Sequence, residues 1–455
     1  MRVVKHLEEI FSASIKRVDP RDMILKGVKI HHNIFSISTE GGVTEIDLSR
    51  FNRIVVLGAG KATAKMAAAV EDILGDRISE GVIAVKAGHA AALKKIKTIE
   101  AGHPVPDENS VKAAHEIAEL CRNGNDKTLF INLISGGGSA LLSYPLEWDS
   151  GQSAYRLTLE DKQAATQTLL ACGATIQEIN CIRKHLSGIK GGRLVKMMHP
   201  STSVNLILSD VVGDRLDSIA SGLSTWDDTT YAEAMSYVRK YNLIDKLPLN
   251  VIKVLTAGEA GEIPETPKKG EPIFRNVENI LLGTNYAALL AAREKAGELD
   301  YHTLVLTSQL TGEAREAAKL FAGIGKDILK HGLPMERPAC IIAGGETTVT
   351  IRGKGKGGRN QEMALAFLAE IEADPFNSAG IYFLSAATDG NDGPTDAAGA
   401  FASFEILNAA REAGFSVQNY LCRNDSYNYF DNIGYLLRTG PTNTNVCDLQ
   451  ILLVP

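Results

Sequence analysis

Residues 129–134, Leu-Phe-Ile-Asn-Leu-Ile, form an apolar run that passes straight into Ser135-Gly136-Gly137-Gly138-Ser139 and then into the helix formers Ala140-Leu141-Leu142. A buried strand that turns through three glycines into a helix fixes a strand–loop–helix unit. It also leaves bare backbone N–H groups at a helix start, where the dipole favours an anion. One glycine here would read equally well as a tight turn without a ligand. Three, with a serine on each side, read as a phosphate or carboxylate cradle formed by Ser135, Gly136, Gly137, Gly138 and Ser139.

The same alternation of short apolar runs and longer helical stretches recurs along the chain, which predicts an α/β fold with largely parallel sheets. Strands are expected over 53–57, 81–86, 128–134 and 203–209, with helices over 62–74 and 110–121. Residues 263–274, Ile-Pro-Glu-Thr-Pro-Lys-Lys-Gly-Glu-Pro-Ile-Phe, carry three prolines among charges and read as a linker. Beyond it, strands are expected over 277–282, 302–307, 339–343, 381–385 and 448–454. A chain of 455 residues exceeds what one core usually serves. Two domains follow, over 1–245 and 275–455 with a linker over 246–274; the first 45 or so residues fit either.

With 44% hydrophobic and 22% charged residues the chain falls in the globular range. Its net charge of −6, with scattered Lys and Arg, offers no basic field for nucleic acid. The six cysteines form no C-x-x-C pair and no cluster at zinc spacing, so they read as reduced thiols. No apolar stretch has membrane-spanning length and the N-terminus has no signal-peptide core. A cytoplasmic protein without membrane partners is expected, and homo-oligomer formation stays open.

Gly58-Ala59-Gly60-Lys61-Ala62-Thr63 follows an apolar run and opens a helix. It begins as a dinucleotide fingerprint, but Thr63 replaces the third glycine and the next strand ends at Lys86 with no acid to hold a ribose. A P-loop fails on spacing. What remains is Lys61 at the mouth of a glycine turn. Asp210 and Asp214 follow another strand end, where an acid suits a metal or a substrate hydroxyl and equally an Asx-type turn. The cations and histidine of 183–193 read as a solvated face or, next to an anion cradle, as its lining. Glu346 closes one later strand. Lys354-Gly355-Lys356-Gly357-Gly358-Arg359 leads from a flexible basic loop into a helix, a pattern able to approach and neutralise phosphate. Asp389 and Asp392 end another strand, three residues apart, and Mg²⁺ bound partly by phosphates needs little more. Anion cradles in both halves plus hard oxygen ligands point to phosphoryl transfer.

Eight ordered motifs together resemble the class II glycerate kinases with a C-terminal MOFRL domain: GAGKA (58–62), GHPVPDENS (102–110), SGGGSALL (135–142), KHLSGIKGGRL (184–194), SDVVGD (209–214), GGETTVTIRGKGKGGRNQE (344–362), ATDGNDGPTDAAGA (387–400) and TGPTNTNVCDL (439–449). The resemblance implies transfer of the ATP γ-phosphate to the 2-hydroxyl of D-glycerate with Mg²⁺, giving 2-phosphoglycerate and ADP. It also implies a Rossmann-like N-terminal domain, a MOFRL α/β domain and a site in the cleft between them. Carried over by residue, Lys61 and Arg359 are expected to hold the transferring phosphoryl group from opposite sides, with Gly58, Gly60, Lys356, Gly357 and Gly358 near the nucleotide. Asp389 is the first candidate for metal ligand or hydroxyl-orienting group, followed by Asp210, Glu346 and Asp392. Two positions depart from the family pattern, Leu223 for a proline and Cys447 for an asparagine. The alternatives are an NAD(P)-dependent hydroxypyruvate reductase, for which no nicotinamide site is visible, and a noncatalytic nucleotide or metabolite sensor.

Overall fold

The computed structural model describes residues 2–455, which form two compact units. The first comprises Met23–Ser209 and Asp214–Leu282; the second comprises Asp210–Gly213, Gly283–Pro455 and the described part of Met1–Asp22.

In the first unit, six strands order as β6-β5-β4-β1-β2-β3, where β1 is Arg53–Ala59, β2 Glu80–Lys86, β3 Ile96–Ala101, β4 Thr128–Ile134, β5 Thr202–Leu208 and β6 Val277–Gly283. The pairs from β5 through β4, β1 and β2 to β3 are all parallel. This is the doubly wound order of a Rossmann-like sheet, whose direction reverses between β1 and β4. All seven residues of β4 are buried, as a strand covered on both faces requires. Helix α1 (Thr63–Leu74) follows β1, and α2 (Glu108–Arg122) precedes β4 with a capping box between Asp107 and Ser110. The helix expected after the glycines is α3 (Gly138–Leu141), a single turn. Its dipole is correspondingly small.

The segment read as a linker, 246–274, is instead built into this unit. Over it runs a helix, Leu249–Glu259, whose Val251, Val254 and Leu255 pack in a second core with Tyr231 and with Leu169 and Ile182 of α4 (Leu159–Ala171) and α5 (Ile176–His185). Leu223 is buried in the main core among Leu57, Phe130 and Leu141. Ahead of β1, Val28–His31, Ile34–Thr39 and Gly42–Asp47 form a small antiparallel meander.

The second unit holds a mixed sheet, a departure from the parallel expectation. Its order is β7-β8-β12-β9-β10-β11, with β7 His302–Leu310, β8 Ala339–Gly345, β9 Tyr382–Ala387, β10 Gly399–Ser403, β11 Leu436–Leu437 and β12 Asp448–Val454. Only β7 and β8 pair in parallel; β12 runs antiparallel to both β8 and β9. Against it pack α6 (Asn285–Glu298), α7 (Ala314–His331), α8 (Arg359–Ala373) and the N-terminal helix Arg2–Arg17. Among the described residues no helix is long and apolar enough to cross a membrane.

Candidate functional site

The switch between β1 and β4 brings two loops together. Lys61 N–H donates to Gly136 O at 2.9 Å, and Ala62 N–H donates to Ser135 Oγ at 3.1 Å. Ser135 Oγ also meets Thr63 Oγ1 at 3.1 Å, and Ser135 is buried, so this serine clips the loops and has no face left for a ligand. The closeness explains Gly60, whose φ is +146° and whose added Cβ would stand 2.0 Å from Ser135 Oγ. Here the glycine serves the approach of two loops rather than of a pyrophosphate.

Gly136, Gly137 and Ser139 keep backbone N–H groups without an acceptor among the described residues, whereas Gly138 N–H bonds Ser135 O. A Cβ on Gly137 (φ +84°) would fall 2.9 Å from the His103 ring and 3.6 Å from Lys61 Cγ. The loop therefore runs between a lysine and a histidine. Burial, then the charges of Lys61, Lys86 and His89, hold the His103 imidazole down to about 4. At neutral pH it is uncharged in a cation-rich corner. His89, through an Nδ1–H donated to Lys61 O at 3.1 Å, braces the same turn. His103, Lys86 and His89 escape the sequence reading; the one signal for His103 is its place in the 102–110 motif.

In the second unit the antiparallel course of β12 sets the chemistry. Asp448 begins β12 and pairs in register with Gly345 at the end of β8 and Ala387 at the end of β9. One sheet end thus gathers Glu346, Asp448 and Thr388-Asp389. Arg359, first residue of α8, donates from Nε and Nη2 to the Asp448 carboxylate at 2.5 and 2.9 Å and from Nη1 to Glu346 Oε1 at 2.7 Å. Three of the five guanidinium N–H donors are engaged and two remain. Burial lowers the Arg359 pKa, but the Asp448 bonds outweigh it and raise it on balance. With both carboxylates ionised the trio carries one net negative charge, not the bare positive charge expected of Arg359. Asp448 was missed because its motif was read only for the Cys447 departure beside it.

The expected metal ligands separate by environment. Asp392 is buried and caps α8, accepting from Asn360 N at 3.1 Å and Gln361 N at 2.8 Å. Burial pushes its carboxyl up to about 7 against those bonds, with Asp448 adding repulsion. It is a helix cap, and Glu346 is spent on Arg359. Asp210 lies in the short Asp210–Gly213 excursion of this unit, where its carbonyl accepts from Cys447 Sγ at 3.2 Å. Asp389 is half-buried and commits only Oδ1, to Asn391 N at 3.0 Å, leaving Oδ2 without a partner among the described residues. No cluster of three or more His, Cys, Asp or Glu there could hold a metal. The set does not fit a resident ion caged by protein. It fits a cation held mainly by phosphates, which requires one or two carboxylates.

Nor do Gly357 and Gly358 stand open to a phosphate: an added Cβ would lie 2.2 Å from Ser426 Oγ at the first and 2.3 Å from Asp392 Cγ at the second. These glycines seat the basic loop on its own chain. Lys356 Nζ rests 4.0 Å from the Tyr427 ring centroid.

A Rossmann-like unit with a cation-lined glycine loop at its switch point, joined to a mixed α/β unit with a paired arginine at a strand end, defines a two-unit class of anion-handling α/β protein. Residues 6–256 match the family model described as a domain of unknown function (DUF4147), and residues 339–448 match the MOFRL family. The chain is 39% identical over 445 residues to the glycerate 2-kinase of Pyrococcus horikoshii, covering 97% of this chain and 95% of that one. It is also 39% identical to a putative hydroxypyruvate reductase of Agrobacterium vitis, covering 98% and 94%. The crystal structure of the glycerate kinase from Thermotoga maritima superimposes with a TM-score of 0.85 at 37% identity, covering both chains completely. The chain belongs to the MOFRL glycerate kinase family.

Proposed function

We propose that the protein transfers the γ-phosphoryl group of ATP to the 2-hydroxyl of D-glycerate, yielding 2-phosphoglycerate and ADP. The observation that carries this reading is Lys61 beside unbonded N–H groups of the triple-glycine loop, on a chain similar end to end to glycerate 2-kinases. In that reading Lys61 and the N–H groups of Gly136, Gly137 and Ser139 stabilise oxyanion charge, and neutral His103 can accept the hydroxyl proton. On the second unit, the two remaining donors of Arg359 are available to phosphate oxygens. The net negative Arg359–Glu346–Asp448 trio and the open Oδ2 of Asp389 suit a nucleotide that arrives with Mg²⁺ rather than a bare anion. That ion neutralises phosphate charge when bound, and Asp389 is the residue to hold it. A cytoplasmic setting with ATP at hand agrees with this chemistry.

The name hydroxypyruvate reductase borne by two Agrobacterium vitis relatives gains nothing from this chain. The strand after the first glycine turn ends at Lys86, where an acid would be needed to hold a ribose hydroxyl.

Proton-coupled ³¹P NMR of the protein with Mg-ATP and D-glycerate tests the proposal. ADP should grow together with a phosphomonoester doublet, phosphorus coupled to the single C2 proton. A triplet would move the acceptor to C3, and intact ATP would overturn the kinase reading for this acid.

A further inference from the structure

The first unit buries three cations that the transfer described above does not use. Lys190, 2% exposed, donates from Nζ to Ser139 O at 2.7 Å and to Ser139 Oγ at 2.5 Å. Lys162 on α4, 9% exposed, reaches only Tyr144 O at 3.4 Å. Arg183 on α5 is largely buried and makes no hydrogen bond or ion pair among the described residues. The contrast is Lys184, one residue on, whose Nζ meets Asp227 Oδ1 at 2.6 Å.

These three charges act on one another without a counterion. Burial first, then Arg183, lowers the Lys162 ammonium to about 7; burial, Arg183 and Lys162 together push Lys190 well below its ordinary value. No carboxylate acts on any of them. In a low-dielectric interior such lysines shed their protons, and an anion that arrives among them would be held by the charges it restores.

A second feature meets the same place. Ser221 Oγ lies 2.8 Å from Ser139 Oγ and 3.4 Å from Asn180 Oδ1. It is held there by three successive left-handed residues, Ala220 (φ +48°), Ser221 (φ +58°) and Gly222 (φ +72°), a conformation costly for the two that carry a Cβ.

We propose that Lys162, Arg183 and Lys190, with Ser139 and Ser221, form the pocket that takes the carboxylate of a 2-hydroxy acid, the acceptor in the transfer on which this inference rests. The planar guanidinium matches the two oxygens of a carboxylate. The hydroxyl of Ser221 suits a substrate hydroxyl next to that group. Lys61 and His103 flank Gly137, whereas Lys190 grips Ser139, two residues along the loop and so at most about 7 Å away. Within that bound a small acid fits, since its carboxylate and its reacting 2-hydroxyl sit on adjacent carbons, whereas a nucleotide lying along the loop does not.

Calorimetric titration of the full-length protein with D-glycerate, with D-lactate and with Mg-ADP, each alone, tests the pocket in wild type, Arg183→Gln and Lys162→Met, alongside melting of the free proteins. Arg183→Gln should weaken both acids at least about tenfold, leave Mg-ADP unchanged, and raise the melting temperature because a buried unpaired charge is gone. Lys162→Met should do the same more weakly. Acid affinity unchanged in Arg183→Gln, or a loss confined to Mg-ADP, overturns the pocket; so does a lowered melting temperature with unaltered binding, the mark of a structural arginine. The two readings fail separately. Acid binding that Arg183→Gln abolishes supports the pocket even if no phosphate reaches D-glycerate, whereas turnover of D-glycerate with an unaltered KM in Arg183→Gln retains the kinase and removes the pocket.

Discussion

Arg359 shows how one residue can be misjudged from its charge alone. Its neighbours in sequence are lysines and glycines, yet its partners in space are Asp448, fully buried, and Glu346. The guanidinium is aimed by two carboxylates, leaving a fixed pair of donors. Arg359→Lys keeps the charge but loses the fork, so kcat should fall by about 10²-fold, the scale of a lost transition-state donor. The buried Asp448 would also lose its second bond, lowering stability by about 1–3 kcal/mol; steady-state kinetics and urea melts check both effects. His103 allows a test in the opposite direction. Burial and the cations beside it hold its imidazole down to about 4, against an ordinary 6.5. The unfolded chain binds the proton first, so this group's contribution to stability is present above about 6.5 and is lost as pH falls through 4. An anion at the loop offsets the lysine charges that lower this value. The His103 ring signals in an NMR titration should therefore move to higher pH when ATP or phosphate is added, and an unmoved midpoint would separate His103 from the anion site.

At the scale of elements, the turn into β12 carries a mismatch between a residue and its backbone. Cys447 is buried with φ +67°, a region that asparagine tolerates and cysteine does not. Asparagine is the residue that the motif resemblance leads one to expect there. Cys447→Asn should relieve about 1 kcal/mol and raise the melting temperature by about 2–4 °C, and differential scanning calorimetry reads the shift directly. The thiol itself is inert, since burial pushes its pKa up. Elements were legible in the sequence where their apolar runs were unbroken: β1, β2, β4, β5 and β12 stand within a few residues of their expected bounds. They were illegible where composition hides the pattern. β3, Ile-Lys-Thr-Ile-Glu-Ala, is half polar, and β10, Gly-Ala-Phe-Ala-Ser, is too small-sided to announce a strand. The site divides the same way. Lys61 and the glycine loop stand out because glycine is informative at a strand end, while Asp448 and His103 gain their roles from partners 89 residues away or across a loop. No local pattern encodes those distances.

For the whole molecule, the path of the chain matters more than the order of its motifs. It begins in the second unit, leaves at Asp22 to build the first, and returns for good after Leu282. The N-terminal helix Arg2–Arg17 buries Leu7, Ile10 and Phe11 and packs along α6. His6 Nδ1 lies 2.9 Å from Tyr301 Oη, and Thr444 Oγ1 donates to Val18 O at 2.6 Å. The second unit is thus closed by residues that precede it by more than 260 positions. Uncovering three such side chains forfeits about 1.5–3 kcal/mol each, comparable in sum with the whole stability of an ordinary domain. Deleting residues 2–17 should therefore unfold the second unit while the first keeps its own cores. In hydrogen exchange, amides of β8, β9 and β12 should lose protection while those of β1 and β4 retain it. Supplying residues 1–22 as a peptide should restore part of the protection, because the helix covers again the faces of α6 and β12 that the deletion lays bare. Equal loss in both units would show that the sheets fold as one cooperative body, and no loss would show that the helix is an ornament on a unit already complete.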